Sequence, residues 1–264
     1  MRIGFIGVGD QGGPMAGRLI AAGHPVTLWA RRTESLDPYR DTGASFAGSV
    51  AELGAASDLV GICVVDDAGV RQVCEQLFSA MARGGIVAIH STVSPDTCIA
   101  LAEAASVHGL SLIDAPVSGG RPAAQAGKLT VMIGGDEGAV AAATPLFEAF
   151  ATLILHLGPV GAGQNAKLIN NTLMAAHLAV AHHGLNAAET LGLDRAAFVE
   201  LIKASSGRSF GFEVRARMPT PASFAHGGAL LQKDVRLLTE ALPGDADAAA
   251  LADIANPFLS LTTA

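Results

Sequence analysis

Cysteine is scarce in this sequence, which argues against a secreted, disulfide-stabilised protein. The 264 residues include three cysteines, an odd number, and no two of them have C-x-x-C spacing. Cys63, Cys74 and Cys98 lie in apolar stretches. We therefore expect reduced thiols in the core of an intracellular, cytoplasmic protein, and no disulfide.

Positive charge is in deficit. Lysine and arginine total 17 against 24 acidic residues, which gives a formal net charge of -7 without long runs of one sign. This balance disfavours nucleic acid and anionic membrane surfaces as partners, and it leaves small molecules, including small anions.

A long uninterrupted hydrophobic run is also missing. The N-terminal stretch MRIGFIGVGD has a short apolar run broken by glycines, so we expect a first strand and no signal peptide. Residues 168–188 are the one candidate for a membrane span, yet they contain three asparagines and three histidines. A buried helix between domains is the better interpretation.

Metal-ligand spacing is absent as well. Neither His177 nor the pair His182–His183 has an acid or cysteine partner at ligand spacing. We expect packed or interface histidines and no metal site.

What the sequence does contain is a series of short strand-like runs. They alternate with segments of helical period up to about Gly158, and the strand signals stop after Gly163. The runs are RIGFI, VTLWA, LVGICVV, GIVAIH, SLIDAP and LTVMIGG. This alternation predicts an α/β fold with a parallel sheet covered by helices, followed by a mostly helical part in which Asp194 caps the helix RAAFVELIKA.

A glycine-rich loop follows the first run. The stretch GFIGVGDQGGPMAGRL places Gly7, Gly9 and Gly12 in a G-x-G-x-x-G array between a predicted strand and a predicted helix. In dinucleotide-binding folds the first glycine permits a tight turn, the second lets the backbone approach a pyrophosphate, and the third allows close packing of helix and strand. The array predicts a bound dinucleotide at the helix N-terminus; a glycine-rich turn without a ligand is the alternative.

The end of the second strand-like run, LWARRT, bears on the choice of dinucleotide. NAD sites usually carry an acidic residue there, which holds the ribose 2′-hydroxyl. In this sequence Ala30 stands at that position, followed by Arg31 and Arg32, whose guanidinium groups suit a 2′-phosphate. We expect NADP in preference to NAD, and the alternative is a solvated turn.

Lys167 is the only residue with a formal charge between Glu148 and Glu189. On a helix, Asn170 and Asn171 lie on the same side as this lysine. A lysine near an apolar face has its charged form disfavoured and becomes a usable proton donor or acceptor near neutral pH. The alternative is a lysine at a helix end that extends to solvent.

The segment DAPVSGGRP, residues 114–122, follows a predicted strand at the carboxyl edge of the sheet, where open α/β sheets bind ligands. Ser118 offers a hydroxyl, and Gly119 and Gly120 leave backbone N–H groups unshielded for a carboxylate. Arg121 either meets a second anionic group of the substrate or is an exposed loop residue.

Four blocks of sequence, in this order, resemble the β-hydroxyacid dehydrogenase family, which includes 3-hydroxyisobutyrate dehydrogenases and semialdehyde reductases. They are GFIGVGDQGGPMA, DAPVSGG with GKLTVMIGG, GAGQNAKLINN and LLQKD, and they span the chain to about Glu240. The resemblance implies a Rossmann domain at residues 1–160 and an all-helical domain at residues 161–264, joined by a long interdomain helix. It also implies a homodimer or homotetramer.

The resemblance further implies roles for matched residues. Lys167 would be the catalytic acid/base with Asn171 beside it, and the substrate carboxylate would bind at Ser118, Gly119 and Gly120. Phe210 would contact the substrate. The matched cofactor contacts would be Arg31 at the 2′-phosphate, Val64, Val65 and Thr92 beside the nicotinamide, and Lys233.

Two features depart from the family pattern. Asp10 and Gln11 replace the usual Asn and Met of the glycine loop, which puts a negative charge near the pyrophosphate. The chain also ends soon after the LLQKD helix, which puts the usual C-terminal helices in doubt.

These expectations converge on reversible hydride transfer between NADP(H) and a small carboxylate-bearing aldehyde, ketone or 3-hydroxy acid, with Lys167 as general acid/base. Two alternatives stay open: an imine or bulky-ketone reductase of the same superfamily, which generally carries another residue at the lysine position, and a non-catalytic NADP-binding relative, which lacks the lysine. Decarboxylating 6-phosphogluconate-type enzymes are a further option, but their helical domain is much larger, so the length of this sequence argues against most of them.

Overall fold

The computed structural model describes residues 1–263, which form nine strands and eleven α-helices. The strands are β1 Ile3–Ile6, β2 Val26–Trp29, β3 Ser45–Phe46, β4 Leu59–Ile62, β5 Ile86–Ile89, β6 Ser111–Asp114, β7 Val117–Ser118, β8 Leu129–Gly134 and β9 Ala151–Gly158. The helices are α1 Gly12–Ala21, α2 Val50–Ala55, α3 Asp67–Phe78, α4 Pro95–Val107, α5 Gly120–Ala126, α6 Glu137–Phe147, α7 Ala162–Thr190, α8 Arg195–Ala204, α9 Phe210–Arg217, α10 Ala225–Ala241 and α11 Ala246–Thr263.

The first six strands form a parallel sheet in the order β3-β2-β1-β4-β5-β6, which is the strand order of the dinucleotide-binding fold. This confirms the predicted fold class. One detail is corrected: the predicted strand LTVMIGG, which is β8, runs antiparallel to β6 and β7. Strands β3, β7 and β9 are not among the predicted runs, and β9 pairs with β8 in parallel.

The central strands of the sheet are buried on both faces because they carry apolar residues in succession. In β1, Ile3 and Phe5 belong to one core cluster, with α1, α5 and α6, and Ile6 belongs to a second, with α2, α3 and α4. Parallel strands covered on both faces read as continuous apolar runs, and this is the pattern of the three fully buried strands β1, β4 and β5.

The three cysteines are free thiols. Burial raises the pKa of Cys63 and of Cys74 to about 12 and raises the pKa of Cys98 well above its usual value. A thiol that stays protonated at neutral pH is a poor nucleophile, so these cysteines act as small apolar core residues, as the sequence predicts.

The chain divides into two compact units within α7, between Lys167 and Leu168. The predicted domain boundary at residues 160 and 161 lies a few residues earlier, and as a domain boundary it stays a prediction. The second unit is helical. Its largest core cluster joins α7 with Met218, α10 and α11 around Phe258 and Leu259.

The structure tests two of the sequence predictions for this second unit. Asp194 caps α8 as predicted, since its Oδ1 accepts a hydrogen bond of 2.8 Å from the backbone N–H of Ala197. After the LLQKD helix, which is α10, the chain forms the further helix α11 of 18 residues, so the region beyond α10 is helical after all. Among the described residues, no helix combines the length and the apolar character needed to span a bilayer.

His90 is a buried titratable group at the carboxyl end of β5. Its ring stacks on Phe5 at a centroid distance of 6.0 Å and meets the rings of Phe147 and Phe150 edge-on. Its Nδ1 lies 2.8 Å from the carbonyl oxygen of Ala115, so the neutral ring donates its proton there. Burial lowers the pKa of His90 from 6.5 to about 4.

The His90 pKa predicts a pH-dependent stability. Because the folded pKa lies below the unfolded value, the unfolded chain binds more protons, and stability falls as the pH drops from 6.5 towards 4. The full effect is about 3 kcal/mol at most. The comparison is His90→Asn, whose amide can still donate to Ala115 but does not titrate. We expect the free energy of unfolding of the wild type, measured by urea titration, to approach that of the variant between pH 7 and pH 4.

Asp114, with its pKa raised to about 6, acts in the opposite direction between pH 3.8 and 6, and it cancels because both proteins contain it. Parallel stability curves for the wild type and His90→Asn would show that His90 is not buried as a neutral ring.

Candidate active site

The glycine loop joins β1 to α1 and is tight where the first and third glycines stand. Gly7 has a φ of 95°, and a Cβ there would lie 2.1 Å from the carbonyl oxygen of Cys63. A Cβ on Gly12 would lie 2.0 Å from the carbonyl oxygen of Gly7. Gly9 differs, since no atom lies within 4 Å of its Cβ position. The loop is therefore packed at two glycines and open at the middle one, where a ligand could approach the backbone.

A groove runs from this loop to the end of β2. It is lined by Ile6, Gly7, Val8, Gly9, Trp29, Ala30, Arg31, Arg32, Ser35, Val64, Gly69, Gln72 and Val73. No side chain caps the start of α1, where an anion could bind, although the N–H of Gly13 already donates to the carbonyl oxygen of Gly9 at 2.8 Å. Arg31 and Arg32 are exposed, and neither forms an ion pair within residues 1–263. These features fit a dinucleotide: an open glycine, helix amides for a pyrophosphate and free guanidinium groups beyond it.

The loops after β4 and β5 are neighbours because these strands pair in parallel, with Ile62 opposite Ile89. The backbone N–H of Val64 donates to Ser91 Oγ at 2.8 Å, which ties the two loops together. Val65 is 77% exposed and Thr92 is half-buried. The structure thus brings the predicted nicotinamide-side residues to one edge of the sheet.

The predicted carboxylate site lies at the turn from β7 to α5. Ser118 ends β7 and pairs with Thr130 of the antiparallel strand β8, so the turn follows β7 and not the predicted SLIDAP strand. Gly119 and Gly120 have φ values of 127° and 68° and are exposed. A Cβ on Gly119 would also lie 2.6 Å from Ala123 Cβ. This turn therefore requires glycine, and it presents the start of a short helix to solvent.

Arg121 and Asp10 form an ion pair. Arg121 Nη1 lies 2.8 Å from Asp10 Oδ1, and both side chains are more than half exposed. The contact joins the Ser118–Gly120 turn to the glycine loop. It offsets the negative charge that Asp10 brings towards a pyrophosphate, and it occupies Arg121, which the sequence analysis considered for a second anionic group of the substrate. As an exposed pair it contributes little to stability.

Lys167 lies in the second turn of α7 and is 8% exposed. Such burial argues against the alternative of a lysine that extends into solvent. The start of the helix is fixed by Asp114, whose Oδ1 and Oδ2 each accept a hydrogen bond of 2.7 Å, from the N–H groups of Gly161 and Gln164. Burial raises the pKa of Asp114 to about 6, and these backbone hydrogen bonds oppose the rise.

The second unit contains the remaining predicted residues. Asn171 Nδ2 donates to Asp234 Oδ2 at 2.5 Å, and Lys233 Nζ lies 3.4 Å from Asp234 Oδ1. Asp234 is 3% exposed, and its Oδ1 accepts no hydrogen bond from the described residues. Phe210 begins α9 and is 68% exposed, with no core contact that would explain it as packing.

Sequence reasoning assigned no role to Asp114, Gln164 or Asp234, although all three lie inside the motifs that carry the resemblance. Buried polar residues of this kind have no periodicity that marks them. Within residues 1–263, no cluster of three or more histidine, cysteine, aspartate and glutamate side chains has the geometry to hold a metal ion.

Both parts of the chain match models of known protein families. Residues 2–158 match the family model described as the NAD binding domain of 6-phosphogluconate dehydrogenase. Residues 161–258 match the one described as the NAD-binding domain of NADP-dependent 3-hydroxyisobutyrate dehydrogenase.

Proteins with similar sequences and structures include named dehydrogenases. The NAD-dependent L-serine dehydrogenase of Pseudomonas aeruginosa is 34% identical over an alignment of 274 positions, gaps included, which covers 96% of this chain and 89% of that protein. A structure of Mycobacterium tuberculosis 3-hydroxyisobutyrate dehydrogenase with L-serine has a TM-score of 0.86 and 29% identity, over 98% of this chain and 94% of that one. Psf3 in complex with NADP+ and 2-OPP has a TM-score of 0.83 and 27% identity, over 99% and 91%.

The glycine loop, the strand order and the two matched regions agree with one another along almost the whole chain. The protein therefore belongs to the β-hydroxyacid dehydrogenase family of NAD(P)-dependent oxidoreductases.

Proposed function

We propose that the protein transfers hydride reversibly between NADP(H) and a small substrate that carries a carboxylate, a 3-hydroxy acid in one direction and an aldehyde or ketone in the other. The observation that carries this proposal is the burial of Lys167 on a helix whose start is fixed to the sheet of a dinucleotide-binding unit. A buried lysine is costly to maintain without a function for its amine.

The bound cofactor supplies or accepts the hydride. In the reducing direction the ammonium group of Lys167 donates a hydrogen bond to the carbonyl oxygen, stabilises the negative charge that develops there, and then gives up its proton to form the hydroxyl. In the oxidising direction the neutral amine takes that proton back. Asn171, four residues further along α7, orients the same oxygen without adding charge.

Ser118 and the exposed turn at Gly119 and Gly120 hold the substrate carboxylate in this proposal. The turn leaves backbone N–H groups unshielded at the start of α5, and the serine hydroxyl adds a further donor. Fixing the carboxylate determines which face of the carbonyl meets the nicotinamide. Phe210 and Lys233 complete the proposed set, as substrate and cofactor contacts respectively.

The preference for NADP rests on the end of β2. Ala30 lines the groove where an acidic residue would hold a ribose 2′-hydroxyl, and Arg31 and Arg32 follow it without an ion-pair partner in residues 1–263. Relatives differ in this respect, since one is named as NAD-dependent and another was solved with NADP+. The side chains of this protein itself favour the phosphorylated cofactor.

The proposal extends to assembly and compartment. The family resemblance supports a homodimer or homotetramer, and the three free thiols, two of them buried, support a reducing, cytoplasmic environment.

Replacing Lys167 by alanine removes the proposed proton donor. We expect kcat to fall by at least about 10²-fold, because general acid catalysis contributes a factor of this size or more. The dissociation constant for NADPH should change little. The matched control is Lys203→Ala, which removes an exposed lysine of α8 that pairs with Glu200. An equal loss of NADPH binding in Lys167→Ala would mean that the lysine is structural.

Arg31 tests the cofactor preference. The wild type should have a higher kcat/KM with NADPH than with NADH, and Arg31→Ser should lower the NADPH value by about 10- to 100-fold while the NADH value stays within a few-fold. Arg40→Ser is the control, since Arg40 pairs with Asp37 outside the groove. A wild-type preference for NADH would contradict the assignment.

A substrate panel tests the reaction class. With NADPH we expect reduction of at least one among glyoxylate, succinic semialdehyde, methylmalonate semialdehyde and tartronate semialdehyde, and with NADP+ we expect oxidation of a 3-hydroxy acid such as 3-hydroxyisobutyrate or L-serine. Activity on imines or bulky uncharged ketones, with none on these carboxylates, would favour the reductase alternative.

A further inference from the structure

Gln164 has no role in the proposed chemistry, yet its side chain is completely buried and hydrogen-bonded at both its nitrogen and its oxygen. It lies on α7, three residues before Lys167, and is 0% exposed. Its Nε2 donates to the carbonyl oxygen of Ser91 at 2.8 Å, and its Oε1 accepts from the backbone N–H of Val93 at 3.2 Å. One amide group thus binds both backbone groups that flank Thr92.

The loop held in this way carries the residues expected beside the nicotinamide. Thr92 stands between the two backbone groups that Gln164 binds. Ser91 Oγ in turn accepts the N–H of Val64 at 2.8 Å, so the same amide is linked to the loop after β4. A chain of hydrogen bonds therefore runs from α7 through the β5 loop to the β4 loop.

Gln164 also fixes the rotation of α7. Residues three apart lie on the same face of a helix, so the side that carries Lys167 is the side that Gln164 fastens to the β5 loop. Asp114 prevents the first turn of α7 from sliding along the helix axis, because its two carboxylate oxygens accept N–H groups at the start of the helix. With one contact at the end and one on the side, the helix can neither slide nor turn without breaking buried hydrogen bonds.

We infer that Gln164 is a positioning residue, which sets the place of the Lys167 amine relative to the loop of Ser91, Thr92 and Val93. The inference rests on the proposed function, in which Lys167 is the general acid/base. A displacement of about 1 Å at a reacting group can cost a factor of about 10² in rate. The loss of Gln164 therefore lowers kcat and leaves cofactor affinity in place.

The first variant is Gln164→Leu, which keeps the volume of the side chain and leaves the Ser91 carbonyl and the Val93 N–H without partners. We expect kcat to fall by about 10- to 100-fold and the NADPH dissociation constant to stay within about threefold. NADPH binding is followed by the fluorescence of Trp29, the single tryptophan of the sequence, which lines the cofactor groove. In the protein without cofactor, hydrogen exchange at residues 91–93 should become faster. Asn165→Leu, at an exposed position of the same turn, is the control.

The second variant, Gln164→Glu, separates positioning from a general loss of structure. One carboxylate oxygen can still accept from Val93, but the other faces the Ser91 carbonyl and needs a proton to donate. The titratable groups next to Gln164 are Asp114 on β6, which accepts its N–H, and Cys98 on α4, which contacts its side chain. Asp67 at the start of α3 lies near Cys98, and Lys167 follows three residues later on α7. Burial beside Asp114 favours the protonated form at low pH. The kcat ratio of Gln164→Glu to wild type should therefore be highest near pH 5.5 and fall towards pH 8.

The results separate this inference from the proposed function. If Lys167→Ala is inactive while Gln164→Leu keeps kcat within about threefold, or while the Gln164→Glu ratio does not change with pH, the positioning role alone is wrong. If Gln164→Leu loses NADPH binding as much as kcat, the residue is merely structural. If Lys167→Ala keeps full activity, the proposed function fails and this inference with it.

Discussion

The start of α7 is the contact on which the rest of the site depends. A buried carboxylate, Asp114, accepts the N–H groups of Gly161 and Gln164 at the point where the sheet ends and the long helix begins. Helix N-terminal amides need acceptors, and an anion at that end is favoured by the helix dipole. The energetic cost of burying the carboxylate is visible in its raised pKa of about 6. These two hydrogen bonds fix the position of the N-terminus of the helix that carries Lys167.

The topology of the sheet then determines which loops lie together at the site. The parallel order of β1, β4 and β5 brings three loops to one edge of the sheet: the glycine loop, the loop of Val64 and Val65, and the loop of Thr92. The helix is fastened to the last of these by Gln164, and the Ser118–Gly120 turn is joined to the first by the pair of Arg121 and Asp10. Each loop is restrained by its neighbours, which is how rigid scaffolds position residues for catalysis.

Much of this could be read from the sequence because local patterns carry it. The G-x-G-x-x-G array requires glycine for steric reasons that hold in the structure at Gly7 and Gly12, and the open position at Gly9 has the expected character. The apolar runs gave the parallel core strands, and Asp194 capped its helix as predicted. These features depend on neighbours in the chain, so composition and spacing are enough to find them.

The parts that sequence reasoning missed depend on contacts between distant residues. The antiparallel direction of β8 and the pairing of β9 with it are decided by where the chain returns to the sheet, which no local pattern encodes. Gln164 and Asp234 look like ordinary polar helix residues until their partners, 71 residues upstream at Val93 and 63 residues upstream at Asn171, are known. The ion pair of Asp10 and Arg121 likewise joins positions 111 residues apart. Asp10 in the glycine loop and Arg121 after the double glycine each look unusual in the sequence, and this one contact accounts for both.

The central claim is that the Lys167 amine meets the reacting oxygen. A crystal structure with NADP+ and a bound 3-hydroxy acid measures this directly as the distance from Lys167 Nζ to the substrate hydroxyl oxygen. The account predicts a hydrogen bond of about 2.6–3.2 Å. A nitrogen directed away from the substrate, with another side chain at that oxygen, would contradict it.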